Sequence, residues 1–149
     1  MSKIKKSTNM FLELQKFLYT KLSKDKSLSQ GLRIFSQVPK DTPFPYLYLG
    51  KFTVINRSLK GCYRMHSVNE VHLYSQDNSI EEILNWMDGV KKILRLQDVS
   101  LQGLHISEVE FLQMTVDVMQ DAKTHRAVSK FRVIMEDSDG SAQRFTNVA

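Results

Sequence analysis

The chain has 149 residues, of which 42% are hydrophobic and 25% charged. These are ordinary globular proportions with room for one sizeable core, and apolar runs of only a few residues exclude a transmembrane helix. The net charge is +5, with seven lysines before residue 27, so the basic excess sits largely at the N-terminal end and admits, without requiring, contact with nucleic acid or another acidic surface.

Residues 1–7 read as a loose basic arm, and no signal-peptide apolar core follows them. From Thr8 to Ser23 the pattern is helical: Phe11, Leu14, Leu18 and Leu22 recur at three- and four-residue steps, with Met10 and Phe17 beside them. Lys24 to Gln30 is a mostly polar connection ending at Gly31, and Leu32 to Val38 reads as a short strand. All three prolines, Pro39, Pro43 and Pro45, then fall within seven residues. Each fixes φ and pushes its predecessor toward extended backbone, so the segment is an extended lead into a strand over Tyr46 to Ile55. Strict alternation would put Tyr46, Tyr48, Phe52 and Val54 on one face and Leu47, Leu49 and Ile55 on the other.

Asn56 to Arg64 reads as a mobile polar loop, and Met65 to Tyr74 as the next strand. Ser79 and Glu82 have the spacing of a capping box opening a helix to about Leu96. Its apolar stripe is Ile80, Ile83, Leu84, Met87, Val90 and Leu94. Val99 to Gly103 is a connector or short extended piece. Leu104 to Val118 is a long strand whose apolar phase changes, which predicts a bulge near residues 108–112. Met119 to Thr124 is a polar turn, Arg126 to Glu136 the last strand, and 137–149 a flexible tail. The architecture expected is α+β: a single mostly antiparallel sheet with two amphipathic helices packed on one face, forming one domain over 8–136.

Chemistry-bearing residues are sparse. Cys62 is the single cysteine, so no intrachain disulfide forms, in agreement with a reducing cytoplasm. No nucleophile–base–orienter motif surrounds it, and no Gly-rich phosphate loop is present. His66, Glu70 and His72 share one face of a strand. A metal site there lacks a second His or Cys pair, and a solvated strand face explains them as well. Glu81 and Glu82 suit a helix N-terminus, while Glu108 and Glu110 suit ion pairing on a strand. The chain is therefore expected to have no catalytic residue, no metal and no cofactor. Lys3, Lys5 and Lys6 are candidates for weak, salt-sensitive phosphate contacts, although a solvated arm is the simpler account. Arg57, Lys60 and Arg64 are candidates for contact with a neighbouring subunit.

Two segments carry a resemblance: Asp41-Thr-Pro-Phe-Pro-Tyr-Leu-Tyr-Leu-Gly50, and Asp121-Ala-Lys-Thr-His-Arg-Ala-Val-Ser-Lys-Phe-Arg-Val133. Between them lie a His-bearing strand over 66–74 followed by Ser75, and then a helix. In this order and spacing, over roughly residues 10–136, the chain resembles the tail-completion, or head–tail joining, proteins of tailed bacteriophages and gene transfer agents, which are related to tail terminators. The resemblance implies a structural adaptor rather than an enzyme. It also implies a homo-oligomeric ring such as a hexamer, connector and tail tube proteins as partners, nonspecific DNA contact at most, and no membrane. Assembly would take place in the bacterial cytoplasm, before incorporation in the particle neck or tail. Outside that family, the same elements would suit a small intracellular binding or regulatory domain.

Overall fold

The computed structural model describes residues 9–77 and 79–136, so the arm with Lys3, Lys5 and Lys6 and the tail 137–149 lie outside the described residues. The elements are α1 (Met10–Ser23), α2 (Lys26–Ser29), β1 (Arg33–Phe35), β2 (Tyr46–Asn56), β3 (Arg64–Ser75), α3 (Glu81–Ile93), β4 (Gln97–Leu101), β5 (Leu104–Val118) and β6 (His125–Glu136). The strands form one six-stranded sheet in the order β1-β2-β3-β6-β5-β4. Neighbours are antiparallel except β1 and β2, which run parallel. The α+β expectation holds, with two strands and a helical turn more sharply resolved than the sequence allowed.

The centre of the sheet is the β3–β6 pair. It keeps one register without interruption from Arg64↔Glu136 to Ser75↔His125. Side chains alternate between faces along a strand. Accordingly Ser67, Asn69, Val71, Leu73 and Ser75 are buried on β3, as are Ala127, Ser129, Phe131, Val133 and Met135 on β6. Onto this face pack Leu14, Leu18 and Leu22 of α1 and Ile83, Met87 and Val90 of α3, all in one core cluster.

The outer strands reach the same face only by changing phase. On β2 the register shifts between Leu49 and Phe52. Leu47 and Leu49 point to the helices before the shift; Phe52 and Val54 do so after it, opposite buried Asn69 and Ser67. Strict alternation is thus corrected: Tyr46 and Tyr48 do not share a face with Phe52 and Val54, because the bulge inserts an extra residue. Gly50 sits in this bulge, and a Cβ there would lie 2.7 Å from the His72 ring. β5 shifts twice, between Ile106 and Glu108 and between Phe111 and Gln113, which agrees with the phase change read around 108–112.

The helix ends differ in cause. Asn9 caps α1, its Oδ1 accepting from the N–H groups of Phe11 and Leu12 at 3.1 and 3.2 Å. Phe11 of the expected stripe is 40% exposed, outside the core. The segment read as a polar connection contains α2, capped by Asp25, whose Oδ1 accepts from the Leu28 N–H at 3.1 Å. Leu28 is buried beneath it. The capping box is not formed. Ser79 Oγ accepts from Glu81 N–H at 3.2 Å, but Glu82 accepts instead from the Ser75 hydroxyl at the end of β3. The helix consequently starts at Glu81, and Ile80 stands out at its N-cap rather than in the stripe. The strand expected over 32–38 pairs only through Arg33–Phe35, and the connector at Val99 belongs to β4.

A polar contact fixes α1 on the sheet. Gln15 Nε2 donates to Asn69 Oδ1 at 3.0 Å, while Asn69 Nδ2 donates to the Ser67 hydroxyl at 3.0 Å and the Ser67 carbonyl at 3.2 Å. Asn69 is 4% exposed, so its amide is satisfied by these neighbours. Asn69→Ala removes the partner of Gln15 and of the Ser67 hydroxyl together. It should lower unfolding free energy in urea by about 1–3 kcal/mol, and an unchanged urea midpoint would contradict the contact's role.

Candidate assembly surface

The β2–β3 connection is a closed hairpin rather than an open loop. Leu59 and Cys62 exchange backbone hydrogen bonds of 2.9 and 2.8 Å around Lys60-Gly61, and Gly61 has φ 81°, a left-handed conformation that glycine adopts without steric cost. Below this tip, Asn56 Oδ1 accepts from Ser58 N–H at 2.9 Å, and Arg57 N–H donates to the Arg64 carbonyl at 2.9 Å. Ser58 Oγ accepts from Arg64 N–H at 3.1 Å. The hairpin therefore holds its exposed side chains out on a hydrogen-bonded frame.

Of the three candidate contact residues, Arg57 and Lys60 are exposed on this hairpin. Arg64 differs: its guanidinium pairs with Glu136 across the β3–β6 ladder at 3.3 Å. It holds the sheet end together, and its two companions remain free to meet a neighbour. Sequence reasoning passed over Leu59, which at 72% is the most exposed large apolar side chain among the described residues. Its signal was available, as a lone apolar residue one place before a Lys-Gly turn.

His66 and His72 do not converge. Six residues of strand separate them by about 20 Å. His72 Nε2 lies 2.9 Å from Glu70 Oε1, and its ring stacks on Tyr48 with centroids 4.7 Å apart. Gly50 lies against the same ring, where a Cβ would meet it. His66 lies among Arg132, Arg57 and Arg64; burial first, and then those guanidiniums, hold its pKa below the ordinary histidine value, against the opposing pull of Glu110. No group of three His, Cys, Asp or Glu that could hold a metal occurs among the described residues. Cys62 is half-buried and unpaired. Glu110 pairs with Arg132 at 3.0 Å, the ion-pairing role its strand position suggested, and Asp117 pairs with Arg126 at 3.1 Å.

The β5–β6 turn is fastened by one carboxylate. Asp121 accepts from Thr124 Oγ1 at 2.6 Å, Thr124 N–H at 2.8 Å and Lys123 N–H at 2.9 Å. The Thr124 hydroxyl and backbone bonds bring its pKa down to about 2.

The described chain thus carries a braced hairpin with exposed Arg57, Leu59 and Lys60, cross-strand ion pairs and a tight turn. The family model for tail completion protein gp17 matches residues 16–136. The chain belongs to the tail completion protein gp17 family. It is accordingly a structural protein of a phage or gene transfer agent tail. Among solved structures, a chain from the virion of a native gene transfer agent particle is similar in fold, with a TM-score of 0.76 at 19% identity over 87% of this chain and 99% of that one. No curated protein matches the sequence.

The turn gives a pH prediction. The folded pKa of Asp121 is depressed below the usual value of about 3.9. Its stabilising contribution is therefore complete above that value and is lost as pH falls through about 2. Following the Asp121 carboxyl by NMR should give a midpoint near 2 in wild type, and a midpoint near the free value would contradict the three hydrogen bonds.

Proposed function

We propose that this protein completes the joint between head and tail as a ring of identical subunits, bound on one side by connector and on the other by tail tube proteins. The observation that carries the reading is the family match across residues 16–136, nearly the whole described domain. The virion origin of the structurally similar chain supports it. In this account the protein binds and does not catalyse. The sheet and its helices hold a fixed shape, while the Leu59–Cys62 hairpin and the chain ends make contacts. Assembly takes place in the bacterial cytoplasm, and the finished ring stays in the particle neck or tail.

Deleting the gene from the producing phage or gene transfer agent tests this. Heads that package DNA and tails that polymerise should both accumulate, unjoined, and the wild-type gene in trans should rejoin them. Joined, infectious or transducing particles in the deletion strain would overturn the reading.

The hairpin's part is tested separately. Replacing Arg57, Leu59 and Lys60 by Ser should weaken self-association in sedimentation. The thermal midpoint of the monomer should stay within a few degrees, since surface changes usually cost under about 0.5 kcal/mol. Arg64→Ser should instead lower the midpoint, because it removes the ion pair to Glu136. Undiminished assembly by the triple variant would exclude the hairpin from the contact.

A further inference from the structure

The two lateral edges of the sheet are each half covered, and at opposite ends. β1 pairs with β2 only at Tyr46–Tyr48. Among the described residues no strand lies beside β2 from Leu49 to Asn56 on its outer side. On the far edge β4 pairs with β5 only from Leu104 to Glu108, and Val109 N–H reaches the Leu96 carbonyl. From Glu110 to Val118 the outer side of β5 carries no strand among the described residues. Unpaired strand edges are backbone donors and acceptors open to another chain.

The cross-sheet register sets these steps against each other. One row runs Arg33–Tyr46–Tyr74–Arg126–Asp117, so β1 stands level with the bare half of β5. Another runs Ile55–His66–Ile134–Glu108–Gln97, so β4 stands level with the bare half of β2. Set side by side without a shift along the strands, two copies bring β1 of one beside Thr115–Asp117 of β5 of the other and β4 of that other beside Ile55–Asn56 of β2, while Leu49–Val54 and Val109–Met114 face each other between these two contacts. Continuing the sheet this way, β1 would run antiparallel to β5.

Charge divides the same way. From Tyr46 to His66 there are four Lys or Arg and no Asp or Glu; from Gln97 to Asp121 there are five Asp or Glu and no Lys or Arg. Lys51, Arg57 and Lys60 on the first edge are exposed and pair with no carboxylate among the described residues. In the unshifted arrangement Arg57 comes within two rows of Asp98 and Glu108, Lys51 level with Gln113 and within two rows of Glu110, and exposed Arg33 level with Asp117. The apolar side chains match too: Phe52 and Ile55 are exposed beside one bare half, Phe111, Leu112 and Met114 along the other. Phe52, Phe111 and Met114 face the helix side, whereas Glu108 and Asp117 face the opposite side.

We propose that copies of this chain join head to tail through these edges, the β1–β2 edge of one against the β4–β5 edge of the next. This rests on the ring reading and supplies its contact. The interface is heterologous, so it leaves a complementary edge at each end of any partial assembly and closes when the ring is complete. Opposite charges select the partner edge, and like charges disfavour an edge meeting itself.

Crosslinking with a short bismaleimide tests it, in full-length protein carrying Cys62→Ser. Thr53→Cys marks the first edge and Gln97→Cys the second, both exposed. Mixing the two single-cysteine proteins should give covalent dimers, neither alone should give any, and a chain with both should give a ladder. Adding Lys51→Glu and Arg57→Glu to the Thr53→Cys chain should abolish the mixed dimer. Glu108→Lys with Asp98→Asn on the Gln97→Cys chain should restore it; Asn is chosen because residue 98 has φ 51°. Dimers from either single protein alone, no dimer in the mixture, or no response to the charge changes would overturn the proposal. The charge variants are also returned to the deletion strain. If wild type restores joined particles and the Lys51→Glu, Arg57→Glu chain does so equally well, the edge contact fails while the joining role stands. If wild type restores nothing, the joining role itself fails.

Discussion

The uninterrupted β3–β6 ladder is the constraint from which the rest of the structure follows. Twelve paired positions without a bulge mean that every second residue on both strands meets the helices. Those positions hold Val71, Leu73, Phe131, Val133 and Met135, and truncating such a buried side chain typically costs about 2–5 kcal/mol. The few polar residues on this face are small or bonded to one another, as with Ser67 and Asn69. With the centre fixed, the outer strands adapt. β2 and β5 carry the irregularities, and Gly50 is where the backbone of β2 must pass beneath the His72 ring.

Much of this was legible in the sequence because it is local. The stripe of α1 and the alternation of β3 and β6 are periodic signals that tertiary packing reinforced. The phase change in β5 was visible because Val109 and Phe111 break step with Met114 and Val116. The corresponding shift in β2 was hidden, because apolar residues occupy both phases from Tyr46 to Ile55. β4 escaped as a definite strand because its five residues include Asp98 at φ 51° and only alternate apolar positions. The Ser79–Glu82 spacing misled because Glu82 had a better partner in Ser75, a contact no local window contains.

The candidate surface was legible only in part, for the same reason. Arg57, Lys60 and Arg64 look alike in sequence. Strand pairing separates them, since Arg64 lies opposite Glu136 and the other two project from a hairpin. The two carboxylates of β5 likewise divide, Glu110 taking Arg132 while Glu108 stands opposite Gln97 at the end of the β4 pairing. A role based on shape and charge leaves little motif to read, which is why the family resemblance carried more about function than any single residue did.

An uninterrupted central ladder with incompletely covered outer strands suits the ring subunit proposed above, which would meet copies of itself on two sides. The most direct measurement is an electron cryomicroscopy reconstruction of the neck of intact particles, at a resolution that traces strands. The account predicts this chain as a closed ring between head and tail, with the β1–β2 edge of each subunit against the β4–β5 edge of the next. Density for the chain elsewhere in the particle, or subunits meeting through α1 and α3 with both sheet edges free, would contradict it.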